Sequence, residues 1–531
     1  MEATPATRRD RVVESGEQAP AGVATVGTPP PLRAPETDPV RLLGPPMPTD
    51  TARGWITALA LTLLGGVLRF TGLGYPTDSG TPVFDEKHYV PQAWQMLRNG
   101  GVEDNPGYEL VAHPPLGKQL IALGEWLFGY DPVGWRVAAA LCGTLMILMI
   151  VRVARRLTGS TLLGGIAGVL LICDGVSHVQ ARVGMLDIFQ AFFVLAAFCT
   201  LVRDRDDGRE RLRALLTRVG DNPLGPALGV RWWRIATGVL LGMACGVKWS
   251  GVYWIVFFGV LAVFWDVSAR RAAGVVRPWV GTLRRDLLPA AGVLAVLPLL
   301  TYLACWWAWF GSETGIDRHV VGRSVGTGGP WAFVPDALRS LWYYSGHVLA
   351  FHESLDTPVG HPHPWESKPW TWPMGLRPML YFYESDVTCG DGSCRSAVML
   401  VGTPALWWPA IPVLGWALWR SVTRADWRYI AVLVGYGAGF LPWFVHIDRQ
   451  MYFFYMTPLA PFLVLATVLV MGDILGRAGR LGSERRQTGL LLVGLWVGAA
   501  VANFAWLWPI LVGMPISPGH WQAELWLPSW R

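Results

Sequence analysis

"WITALALTLLGGVLRFTGLG", residues 55 to 74, decides the fold: twenty residues carry a single charge, Arg69. At about 1.5 Å per residue, a helix of that length covers the roughly 30 Å hydrocarbon core of a bilayer. The pattern recurs. Apolar segments begin at Gly134 ("GWRVAAALCGTLMILMIV"), Leu162 and Leu186, around Ile235 and Tyr253, and near Leu287, Ala397, Tyr429, Tyr452 and Thr488. The chain therefore reads as an all-α integral membrane protein with about eleven transmembrane helices.

Charge sets the threading, because Lys and Arg accumulate in cytoplasmic loops. With the N-terminus cytoplasmic, the inner connections are 152–156 ("RVARR"), 203–218 ("RDRDDGRERLRALLTR"), 270–285, 420–424 and 477–486, all basic. The outer ones are 75–133, a turn at Arg182, a turn at Lys248, 309–396 and 446–450, each sparser in positive charge. This order places the C-terminus outside the cytoplasm. The spans on either side of "GVKWSG" (246–251) are short, and the basic loops flanking them keep both in the count.

Composition narrows the class. Over half of the 531 residues are apolar, 15% are charged and 30 are tryptophan. The net charge of +6 is gathered in short loops, and no basic patch interleaved with aromatics points to nucleic acid. Cys142, Cys173, Cys199, Cys245 and Cys305 lie in apolar runs, where a thiol packs as a small hydrophobe. Cys389 and Cys394, in "CGDGSC", lie in a polar outer loop, and an oxidising compartment would let them form a disulfide. Residues 1–52, rich in Pro, Ala, Thr and charge, are expected to be a disordered cytoplasmic tail. They contain no signal-peptide core, so the first apolar run is expected to act as an uncleaved anchor of one polytopic domain, 53–531.

Just beyond the first span, "PVFDEKHYV" (82–90) places Asp85 and Glu86 at the start of an amphipathic helix. An acidic pair there also suits a helix dipole, so by itself it marks a boundary as readily as a site. Further along, "HPPLGK" (113–118) brings His113 before a second helix with Lys118 in its first turn. A cation there opposes the dipole; it can hold a phosphate together with exposed amides, or snorkel to headgroups. Arg136, Arg182, Asp187 and Lys248 lie deeper, where ionisable groups line a cavity or pair with one another. An Arg182–Asp187 pair is the structural alternative. The segment 309–396 is crowded with aromatics and histidine, which suit a sugar, an extended peptide or a membrane interface. "HPH" (361–363) lacks the further ligands of a metal site, and no metal is expected.

Taken together, the Asp-Glu pair after the first span, "HPPLGK", "ARVGMLDIF" (181–189), "GVKWSG" and "DRQMYFFYMTPLAPF" (448–462) resemble the protein O-mannosyltransferase family, in its bacterial, actinobacterial form. The resemblance covers nearly all of the chain after the first fifty residues. It implies a GT-C glycosyltransferase fold in the cell membrane with an extracytoplasmic active site. It also implies a polyprenyl-phosphate mannose donor and, as acceptors, Ser/Thr hydroxyls of secreted proteins met during export. By motif, Asp85 would be the catalytic base with Glu86 beside it. The segment 309–396 is too short for the β-trefoil module of eukaryotic members.

On that reading the donor's tail stays in the lipid and its phosphate is met at the interface. A carboxylate takes the hydroxyl proton as attack proceeds, and fixed cations steady the leaving phosphate. Arg136, Arg182 and Lys118 are the expected phosphate ligands, with His113 positioning sugar or phosphate. Asp187, Lys248 and Arg449 are further candidates. A single displacement on a β-linked donor would give an α-mannoside. No cofactor beyond the donor is expected, and a divalent ion is left open. Two other readings compete: a GT-C transferase acting on a glycolipid or cell-wall polysaccharide, and a transporter, which would show repeated halves meeting at mid-bilayer.

Overall fold

The computed structural model describes residues 43, 52–103, 112–219, 222–356, 363–390, 392–476 and 482–531. The expected tail and most of "HPH" lie outside them. The helices that frame the molecule are α1 (Ala52–Phe70), α2 (Glu86–Arg98), α3 (Leu116–Phe128), α4 (Pro132–Thr158), α5 (Thr161–Ile172), α6 (Gly175–Gln180), α7 (Asp187–Ala214), α8 (Trp232–Val247) and α9 (Gly251–Ala272). There follow α10 (Leu287–Cys305), α11 (Asp336–Glu353), α12 (Ala410–Arg424), α13 (Trp427–Phe440), α14 (Ala460–Leu475), α15 (Ser483–Val512) and α16 (Pro518–Glu524).

Six segments among the described residues are long and apolar enough to cross a membrane: α1, α4, α9, α10, Phe453–Leu475 and Glu484–Val512. The other five segments read as spans are shorter or charged at one end. α5 and α8 are short apolar helices, and α12 and α13 run 15 and 14 residues. α7 is apolar in its first half, then continues as helix through the residues expected to form a basic loop.

That continuation has a physical cause. Asp204 accepts hydrogen bonds from Arg231 and Arg234 of the next segment, and Asp207 pairs with Arg211 one turn on. Partnered this way, the charges extend the helix. The fold class also needs correction from all-α to mostly helical, because Met379–Cys389 (β1) and Gly392–Leu400 (β2) form an antiparallel hairpin. β2 takes residues expected to open the eighth span. The hairpin's buried positions in β2 pack on the helical core, and Cys389 and Cys394 form a disulfide near its tip.

Local sequence fixes the ends of the central helices. Asp131 caps α4 by accepting from the Val133 and Gly134 amides at 2.8 and 2.9 Å; Pro132 stands at the first helical position, and Gly159 closes the helix at φ +65°. α7 and α14 are buried along most of their apolar length. α1, α10 and α15 instead turn large apolar side chains outward, Leu63, Leu299 and Leu495 among them. A belt of that kind is what a lipid-facing rim requires. The core thus holds the ends of α4, α7, α8 and α9 in fixed relation, and the segments between spans gather above them.

Candidate active site

Asp85 stands at the head of α2, and the residue before it is held in an unusual backbone. Phe84 has φ +50°, a left-handed conformation that a bulky side chain adopts only when its surroundings compensate. Its ring lies flat on Tyr381 of β1, centroids 4.3 Å apart, with Phe454 at its edge. The hairpin therefore sets the direction in which α2 starts. The Asp85 side chain makes no capping hydrogen bond to its own helix. Burial pushes its carboxyl up to about 6; Lys248 and His88 favour the charged form and Asp187 opposes it. An aspartate half out of water and uncapped can take a proton near neutral pH.

Glu86, one residue on, has a different environment. It is fully buried, and Arg136 grips it with two hydrogen bonds of 2.8 Å. The Gly184 and Val83 amides donate to the same carboxylate at 2.6 and 3.1 Å. A Cβ at Gly184 would crowd this contact, meeting the Trp135 carbonyl at 3.1 Å and Glu86 Oε1 at 3.4 Å. Arg136 also donates to the carbonyls of Leu73 and Pro76. The pair ties the Asp85 loop to α4 and to the "ARVGMLDIF" turn. It leaves Glu86 no open face and commits Arg136 to these hydrogen bonds.

Two other expected phosphate ligands are likewise occupied. Arg182 donates to the carbonyls of Leu68, Arg69, Thr71 and Gly72, closing the C-terminus of α1. Lys118 is buried against Glu103 and also donates to the His113 carbonyl. The alternative Arg182–Asp187 pair is not made. Asp187, at the start of α7, receives Lys248 at 2.9 and 2.8 Å, which clamps α7 to the turn between α8 and α9. Gln190 secures that turn by donating to Ser250 Oγ at 2.8 Å.

Asp85 lies within electrostatic reach of the Asp187–Lys248 pair, and His113 within reach of Lys248 and Arg449. His113 lies beside Tyr89 and over His352, centroids 6.0 and 5.4 Å away. Burial and the cations Lys248, Lys118 and Arg449 hold its imidazole neutral, well below the usual histidine range. Arg449 donates to the His352 carbonyl at 3.2 Å, contacts His352 Nδ1, and lies over the rings of Trp443 and Tyr455. It makes no ion pair among the described residues. Tyr381, Tyr455 and His352 lie close by, and none was singled out as a site residue in the sequence, although Tyr455 falls within the 448–462 stretch. No three His, Cys, Asp or Glu side chains among the described residues are grouped to hold a metal ion.

A helical membrane frame with an uncapped carboxylate and a carboxylate-free arginine at one end matches the GT-C membrane glycosyltransferases in fold. The structure of the Saccharomyces cerevisiae protein O-mannosyltransferase Pmt1-Pmt2 complex bound to the sugar donor is similar with a TM-score of 0.70 at 16% identity, covering 93% of this chain and 95% of that one. Two family models also match, "Dolichyl-phosphate-mannose-protein mannosyltransferase" over residues 132–311 and "C-terminal four TMM region of protein-O-mannosyltransferase" over 337–530. The polyprenol-phosphate-mannose–protein mannosyltransferase of Mycolicibacterium smegmatis (strain MKD8) is 56% identical over 94% of this chain and 97% of its own. That of Mycobacterium tuberculosis (strain H37Rv) is 58% identical over 91% and 93%. The chain belongs to the polyprenol-phosphate-mannose–protein mannosyltransferase family.

Proposed function

We propose that this mannosyltransferase, whose donor is polyprenol-phosphate mannose, works by a single inverting displacement in which Asp85 is the general base. The acceptor is a Ser or Thr hydroxyl on a protein leaving the cell, and the site opens on the face of the membrane opposite the cytoplasm. The observation that carries the reading is the contrast at the head of α2: Asp85 is half-buried and uncapped while Glu86 is locked to Arg136.

In the reaction the hydroxyl oxygen attacks the anomeric carbon and gives its proton to Asp85. The bond from that carbon to the phosphate oxygen breaks, its electron pair leaves with the polyprenyl phosphate, and Asp85 later returns its proton to water. Attack from the face opposite the phosphate inverts the centre, so a β-linked donor gives an α-mannoside. Arg449 is the phosphate ligand on this account, because it alone of the five candidate cations lacks both a carboxylate partner and a helix end to close. Lys248 lends positive potential while anchored to Asp187. His113, neutral and facing Lys248 and Arg449, orients sugar or phosphate through hydrogen bonds. Glu86 and Arg136 act as positioning residues. The basic connections cluster at the other end of the spans, which supports the outward orientation.

Asp85→Asn tests the assignment. The purified variant should bind donor and threonine-rich peptide yet lose transfer by about 10²- to 10⁴-fold. Turnover at the wild-type level would remove Asp85 from the role of base. A lipid acceptor run in parallel separates the protein acceptor from a glycolipid one.

A further inference from the structure

A cavity that has His113 in its wall is formed where α3 and the end of α10 meet the loop before α11. Its walls include Glu103, Trp306, Trp309, Ile316 and Tyr344. The rings are set edge to face, Trp306 against Trp309 at 5.9 Å and against Tyr344 at 5.5 Å. Trp309 is fixed by donating through its indole nitrogen to the Ile316 carbonyl at 2.9 Å. Glu103 is nine-tenths buried. One of its oxygens meets Lys118, and the other has no hydrogen-bond partner among the described residues.

We propose that this cavity is a subsite for the acceptor polypeptide, taking a proline or other apolar side chain next to the hydroxyl-bearing residue, with a backbone N–H of that segment donating to Glu103 Oε2. The inference rests on the function proposed above and adds a sequence preference to it.

Chemistry discriminates among the occupants. A polyprenyl tail has no donor and would leave the Glu103 oxygen buried and unpaired. The phosphate would be repelled by the same carboxylate. The donor's mannose must reach Asp85, and Asp85 does not line this cavity. A sugar on an already modified acceptor would bury several hydroxyls against mostly apolar walls. A polypeptide continues past its reacting hydroxyl at about 3.3 Å per residue, and an apolar side chain with one amide N–H is the complement of aromatic walls with one free carboxylate oxygen.

Kinetics with full-length enzyme in detergent and synthetic threonine peptides tests this. In the wild type, changing a flanking proline to aspartate, or N-methylating the neighbouring amide, should each raise the peptide KM about tenfold, with the donor KM moving less than twofold. Ile316→Trp, which fills the cavity, should raise the KM of the proline peptide to that of the aspartate peptide. Equal KM values across the wild-type peptide series would overturn the proposal. So would an Ile316→Trp enzyme whose donor KM rises instead, or a wild-type preference for peptides already carrying mannose with indifference to the flanking residue. The peptide series needs no variant to fold. Failure of the catalytic reading would show separately, as an Asp85→Asn enzyme that still turns over.

Discussion

The two ends of α7 are both charged, and they differ in what they leave over. At the Asp204 end, two acids meet two arginines: Arg231 and Arg234 both reach Asp204, and Arg234 also grips Asp266 at 2.8 and 3.0 Å. Charge there is balanced and its donors and acceptors are matched. At the Asp187 end, Lys248 answers Asp187, but Asp85 beside them makes no capping bond and Arg449 makes no ion pair among the described residues. The balanced cluster holds helices together. The other leaves a carboxylate and a guanidinium outside any ion pair among the described residues, which on the proposed function suits a hydroxyl that must lose a proton and a phosphate that must gain charge.

That contrast can be broken first by removing Asp85, whose loss should cut transfer by about 10²- to 10⁴-fold while leaving the protein folded. At the opposite end, Arg234→Ala should do the reverse. It leaves Arg231 alone to answer both Asp204 and Asp266 and should cost about 3 kcal/mol of stability, measured by thermal unfolding in detergent, while the folded fraction keeps its specific activity. An Arg234→Ala protein as stable as wild type but inactive would dissolve the distinction.

A smaller effect concerns stability at the site itself. Because folding raises the Asp85 carboxyl from 3.8 to about 6, its contribution favours the fold at low pH and is lost as pH rises through the folded value. Asp85→Asn should therefore unfold at higher temperature than wild type at pH 8, by up to roughly 3 kcal/mol, and show little difference at pH 4. Smaller again, Arg449→Lys should raise the donor KM about tenfold through loss of the guanidinium fork, with less change in peptide KM. Equal changes in both would take Arg449 away from the phosphate.

Much of this was legible in the sequence, and the failures share a cause. Hydrophobic runs showed where the apolar spans begin, and the position of Asp85 after the first of them drew attention to it. Charge alone did not reveal partners. Arg136 and Arg182 were expected to line a cavity or pair with acids, and the partners they have, Glu86 and the carbonyls of Leu73 and Pro76 for the one and the carbonyls of Leu68, Arg69, Thr71 and Gly72 for the other, depend on tertiary packing. The partner of Lys118 was not visible because Glu103 lies fifteen residues upstream in the chain. Arg449 drew less weight because it follows Asp448 in a short loop, where the two charges read as neighbours in the chain, yet Arg449 makes no ion pair among the described residues. Tyr381 and His352 reach the site from β1 and α11, whose approach depends on tertiary packing. The charged half of α7 looked like a loop because its neutralising arginines stand on a different helix.

The most direct test of the central claim is the pH dependence of kcat/KM for the peptide in the wild-type enzyme, at saturating donor. If Asp85 must be ionised to accept the hydroxyl proton, activity should rise with pH along a limb of apparent pKa near 6 and level off above it. A profile that stays flat from pH 5 to pH 8 would contradict an aspartate base poised by burial.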